Sequence, residues 1–218
     1  MLFGSLTPPT LISRIIVLLT AFSIHEFAHA WTATMFGDPT PRMNGRLTLN
    51  PIVHLDPIGS LMLLVVGFGW AKPVQVNPYA LSRRSSAALM LVSLAGPLSN
   101  FIMAIVAAIP FRLGFVSLYA AITNPGTILP TVDKVLYEFI LINLILMLFN
   151  LIPLPPLDGD KILEYFLPAS WGRTLDQIRP YGPVILLLLV FVAPFMGIDV
   201  LSWILGPPMQ ALMRLLVG

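Results

Sequence analysis

The chain has 218 residues, 57% of them hydrophobic and only 10% charged, and a mean hydropathy of +0.88. Soluble domains carry about 25% charged residues, so this composition describes an integral membrane protein. A net charge of +2 gives no footing for nucleic acid, and the absence of cysteine excludes disulfides and thiolate metal sites.

Residues 11–36 form the first apolar run, long enough to cross a bilayer. Gly37-Asp38-Pro39 ends it, as Gly and Pro commonly do. Residues 45–50 alternate in a strand-like way, and residues 73–77 alternate again, so the two are expected to pair as short membrane-associated strands. Between them, residues 58–69 are apolar but cover only about 18 Å as a helix. That is too little for a hydrocarbon core of about 30 Å, and a re-entrant segment is expected. Further spans are expected at 86–111, 135–152, 183–195 and 200–217, the fourth of these five short enough to be tilted or distorted. The 21 prolines fit broken helices, which membranes tolerate where protein or a wet cavity covers the backbone. The expected fold is therefore all-α, with about five transmembrane helices, a re-entrant segment and short strands. It forms one membrane-embedded domain, with a core over about 11–163 and a C-terminal helical hairpin over about 182–217.

The first span contains His25-Glu26-Phe27-Ala28-His29. Ionisable groups are costly inside a membrane and usually mark function. The spacing H-E-x-x-H puts two imidazoles on one helical face, where both reach one zinc ion, with a glutamate beside them as a general base. A catalytic zinc needs a third protein ligand and an open position. Asp158, which follows Pro153, Pro155 and Pro156, is the best candidate. The prolines stop the helix and place the aspartate on irregular backbone near the membrane surface.

Basic residues set the orientation. With the first span running from outside to inside, Arg42, Arg46, Lys72, Arg83, Arg84, Lys161, Arg173, Arg179 and Arg214 face the cytoplasm, and only Arg14, Arg112 and Lys134 face out. This distribution follows the positive-inside rule. His25, His29 and Asp158 then lie at a similar depth toward the cytoplasmic side.

Three segments carry a family resemblance: His25 to His29, Ala95-Gly96-Pro97-Leu98-Ser99-Asn100, and the run from Asn150 to Gly159. In that order they resemble the site-2 proteases, a family of intramembrane zinc metalloproteases. Asn50-Pro51 with His54-Leu55-Asp56-Pro57-Ile58-Gly59, and the stretch from Trp70 to Pro78, are similar to a compact branch without a PDZ domain. The resemblance covers about Leu11 to Leu163. It departs at Asp160, where many members carry a second glycine.

The resemblance implies that His25, His29 and Asp158 hold one zinc ion per chain. Glu26 would take a proton from water and return it to the leaving amine. Asn100 would hold the substrate or the developing oxyanion, while Asn143 and Asn150 lie on one face of their helix, and that stripe reads as packing. His54 is expected to approach the site as an extra ligand or a gate. The implied activity is hydrolysis of a peptide bond within or near a transmembrane helix, with membrane proteins as substrates and the lipid bilayer as surroundings. The compartment would be a bacterial or archaeal plasma membrane. The rival reading is a non-catalytic metal-binding protein or metal transporter. It calls for further ionisable residues along other spans, and the run 86–111 has none.

Overall fold

The computed structural model describes residues 7–59 and 70–218. Pro8 and Pro9 open α1 (Pro8–Met35), where the first turn needs no N–H from them and their fixed φ suits a helix. At 28 residues, α1 is about 42 Å long and exceeds a hydrocarbon core of about 30 Å. It ends in a Schellman motif. Gly37 takes a positive φ of 85°, its N–H donates to the Thr34 carbonyl, and the Asp38 N–H donates to the Ala33 carbonyl.

Helices α2 (Ala88–Arg112) and α3 (Val132–Asn150) pack against α1 and each other as a three-helix bundle. Small residues line the contacts. Ala21, Ala30 and Ala33 of α1 and Ala104, Ala107 and Ala108 of α2 are buried. In a membrane, such residues let backbones approach closely, where lipid gives no hydrophobic drive for helix pairing. At the far end of the bundle from the histidines, Glu138 of α3 is 2% exposed and pairs with Arg14 of α1 at 3.2 Å and with Lys134 at 2.8 Å. These pairs neutralise a carboxylate that the apolar bundle would otherwise reject.

After α3 a proline-rich turn leads into α4 (Asp158–Phe166). Asp158 therefore sits in the first turn of a helix, and not on the irregular backbone expected for it. Gly159 makes the approach possible, because a Cβ there would run into the carbonyls of Leu151 and Ile152. The stretch Gly172–Phe195 follows as a chain of α, 3₁₀ and π pieces, in keeping with the distorted helix expected there. Helix α5 (Val200–Val217) closes the described chain, and Met209, Leu212, Met213, Leu216 and Val217 cover the α2–α3 core.

Two expectations need correction. Among the described residues there is no β-strand: residues 45–50 and 73–77 form no ladder, and an isolated antiparallel bridge joins Leu55 to Ala71, outside both. The backbone groups of these segments are taken by side chains instead. Arg46 donates to the carbonyls of Val53 at 2.7 Å and Lys72 at 3.3 Å, and the Asn77 N–H donates to Asp38 at 2.6 Å. The re-entrant stretch lies outside the described residues from 60 to 69.

The second correction concerns the spans. Four helices are long and apolar enough to cross a membrane: α1, α2, Gly172–Phe195 and α5. Helix α3, expected as a full span, carries Asp133, Lys134 and Glu138 near its start. Moreover, the end of α5 meets the end of α2. Arg112, at the end of α2, donates to the Leu216 carbonyl at 2.9 Å and to that of Leu215, at the end of α5. The last residues thus lie at the Arg112 end of the bundle. Five alternating spans would put them at the opposite end.

Candidate metal centre

His25 and His29 lie one turn apart on α1, both less than a tenth exposed. Their ring planes stand at 84° to each other, and their Nε2 atoms are 3.0 Å apart. Asp158 Oδ2 completes a triangle, at 3.3 Å from His25 Nε2 and 3.4 Å from His29 Nε2. These side chains form the one such group of three among the described residues. With metal–ligand bonds of about 2.0–2.2 Å in a tetrahedron, ligand atoms lie about 3.3–3.6 Å apart. The two distances to Asp158 fall in that range, and the Nε2–Nε2 distance of 3.0 Å is about 0.3 Å below it, so a small parting of the rings would seat a single ion.

The protons support the same conclusion. The other nitrogen of each ring has a hydrogen-bond partner. His25 Nδ1 donates to Asn100 Oδ1 at 2.6 Å, and His29 Nδ1 donates to the Val92 carbonyl at 2.7 Å. In neutral rings this leaves lone pairs on both Nε2 atoms. Asp158 Oδ2 is buried without a hydrogen-bond partner. Three electron-rich atoms converging away from water repel one another unless a cation lies between them. The donor set fits a divalent ion that prefers nitrogen and oxygen, and the Nδ1 contacts are the outer-shell bonds usual for metal-bound histidines.

Helix α2 is shaped to allow this. Gly96 faces the two rings, and a Cβ there would collide with both His29 and His25. Pro97 has no N–H, so the Ser93 carbonyl loses its helical partner and the turn loosens. The Val92 carbonyl that receives His29 belongs to that turn.

Glu26 is buried beside the histidines and outside the three-atom group. Its Oε2 accepts the Val74 N–H at 2.9 Å, so the 73–77 segment lies across it. That segment is pinned on both sides, by Asp38 on Asn77 and by Arg46 on Lys72. Asn44 also donates to Gln75 at 3.2 Å.

Two expected site residues sit differently. His54 is fully buried, its Nε2 donates to the Thr48 carbonyl at 2.8 Å, and it is absent from the ligand group. Its Nε2 thus holds the loop at Thr48, while its Nδ1 is buried without a hydrogen-bond partner. Asn100 is fully buried with both ends of its amide engaged, Oδ1 on His25 and Nδ2 on Asn143 at 2.8 Å. It faces a ligand ring and not an open substrate position. Asn150 bonds back to Leu146 of its own helix at 3.0 Å. Reading the sequence alone missed the part of Asn143. The signal was present, since a polar amide in an apolar helix requires a partner. It also missed Arg179, which donates to Asp160 at 3.0 Å and to Glu164, tying the C-terminal stretch to α4. The unusual aspartate at position 160 was the clue to that cation.

Two buried histidines and a partly buried carboxylate, set among apolar helices, form a donor set that could hold one metal ion. Residues 13–192 match the family model described as Peptidase family M50, and the chain belongs to that family, the site-2 proteases. It is similar to the protein named "Putative zinc metalloprotease YwhC" of Bacillus subtilis, 42% identical over 201 residues, covering 90% of this chain and 85% of the relative. It is also similar to "Putative zinc metalloprotease Rip2" of Mycobacterium tuberculosis, 32% identical over 194 residues, covering 86% of this chain and 68% of the relative. No solved structure matches it.

Proposed function

We propose that this protein is a zinc metalloendopeptidase that hydrolyses a peptide bond within or near a transmembrane helix of its membrane-protein substrates. The convergence of His25 Nε2, His29 Nε2 and Asp158 Oδ2 within 3.0–3.4 Å carries the reading. Family membership and the zinc metalloprotease names of its relatives support it.

His25, His29 and Asp158 hold one zinc ion per chain. Zinc bound by three protein ligands supplies a Lewis acid and lowers the pKa of water at the fourth position to about 7. Glu26 acts as the general base. It takes a proton from the attacking water as the carbon–oxygen bond forms, and gives it to the leaving amine as the carbon–nitrogen bond breaks. The Val74 N–H on Oε2 leaves Glu26 further lone pairs for water, and it lays the 73–77 segment across the carboxylate. The 73–77 segment is therefore the part of the chain that shifts to admit water and substrate. The active site faces the cytoplasmic side of a bacterial or archaeal plasma membrane, where Arg42, Arg46, Lys72, Arg83 and Arg84 flank it.

The test is cleavage of a panel of single-span substrates by the purified full chain in vesicles. Wild type is expected to cut at least one substrate, and a zinc chelator should stop the reaction. Cleavage that persists at full rate in the His25→Ala variant would overturn the reading.

A further inference from the structure

We infer that Asn143 of α3 is a positioning residue for the metal centre, selecting through Asn100 the tautomer of His25 that can bind metal. The inference rests on the proposed zinc site and extends it to a helix that contributes no ligand.

The argument starts at a backbone carbonyl. The Phe139 carbonyl can only accept, and the Asn143 amide meets it at 2.8 Å, so Asn143 presents Nδ2 there. Its remaining end, Oδ1, can only accept. Asn100 meets it at 2.8 Å and must present Nδ2. Asn100 then has only Oδ1 left for His25, whose Nδ1 is 2.6 Å away. An acceptor at that distance requires the proton on Nδ1. A neutral imidazole carries one N–H, so Nε2 bears the lone pair that faces His29 and Asp158. The direction of every bond follows from one helix carbonyl, three residues away from the ring.

Burial makes the selection strict. Asn100 and Asn143 are both 0% exposed, and His25 is 6% exposed. Water cannot replace a lost partner. Turning either amide over would set oxygen against oxygen or N–H against N–H in the low-dielectric interior. The relay crosses α1, α2 and α3, so it also keys the rotation of the ligand-bearing α1 to both neighbours. His29 receives the same tautomer directly from the Val92 carbonyl. The ring served by a side chain that can rotate is thus the one that needs a second residue to hold that side chain.

Zinc affinity of the purified full chain, measured by competition with a chromophoric chelator, tests the inference. The variants are Asn143→Leu, close in volume, Asn143→Ala, Asn100→Leu, and Asn100→Leu with Asn143→Leu. Loss of outer-shell partners typically weakens metal binding about 10-fold to 100-fold. Each single variant should fall in that range, and the double variant should be no weaker than Asn100→Leu, because both remove one relay. Ile140→Ala is the packing control on α3, fully buried in the α2–α3 core. It should lower the Tm and leave zinc affinity within about twofold. Wild-type affinity in both Asn143 variants, or losses that multiply in the double variant, would overturn the inference and leave the zinc site standing. A wild-type chain that binds no zinc would overturn both.

Discussion

At the residue scale, chemistry and metal binding separate between neighbours in the sequence. His25 and His29 point lone pairs at a common centre, while Glu26 stands outside that group, held by the Val74 N–H. Glu26→Gln is therefore expected to keep its zinc and lose turnover by about 10²-fold to 10⁴-fold, the usual share of general acid–base catalysis. Parallel metal analysis and single-turnover cleavage check this, and loss of zinc from Glu26→Gln would make Glu26 a ligand. Gly96 offers a second test, since a methyl group there meets both imidazoles. Gly96→Ala should reduce bound zinc as severely as loss of one histidine, read by metal content at matched protein. Normal zinc content in this variant would show that the rings do not need the cleft in α2. The three side chains that the structure brings together were legible because their signal is local: two histidines four apart in an apolar run, and an aspartate behind a proline block. The partners of Asn100 were not legible, because His25 and Asn143 lie on other helices. A lone amide in a sequence does not reveal which way it faces.

At the element scale, the 73–77 segment between α1 and α2 lies across Glu26. The sequence alternation suggested a pair of strands; in the structure residues 45–50 turn and bend, and residues 73–77 form a strap without a ladder. Side chains decided this. The Schellman end of α1 fixes Asp38, whose two oxygens accept the Thr40 and Asn77 N–H groups. Arg46 bridges the carbonyls of Val53 and Lys72. Such long-range side-chain bonds leave no alternation in the sequence, so a strand was the natural expectation. Asn44 and Gln75 touch at 3.2 Å, which makes them a good pair for a cross-link across the strap. The native chain has no cysteine. Oxidised Asn44→Cys/Gln75→Cys protein should cleave at least about tenfold more slowly per bound zinc, as a blocked general base predicts, and reduction should restore the rate. Equal rates in both states would show that Glu26 works with the strap in place.

At the scale of the whole molecule, α1, α2 and α3 form a bundle with the candidate metal centre toward one end and the Arg14–Glu138–Lys134 cluster at the other. Hydropathy revealed the apolar segments, but it cannot give their direction, and α5 shows why. Its end is held at the end of α2 by Arg112, which donates to its last carbonyls, a contact between residues about a hundred positions apart. Cysteines introduced at Arg112 and Arg214 should therefore be labelled from the same side of the membrane, and one at Arg84 from the other. Labelling of Arg214→Cys with Arg84→Cys would restore the alternating five-span arrangement. The central claim, that three side chains from α1 and α4 build one zinc site inside this bundle, is tested most directly by metal content. Elemental analysis of the purified full chain should give about one zinc per wild-type molecule, the stoichiometry of a single three-ligand site, and none in the His25→Ala/His29→Ala double variant. Stoichiometric zinc retained in that variant would contradict the account.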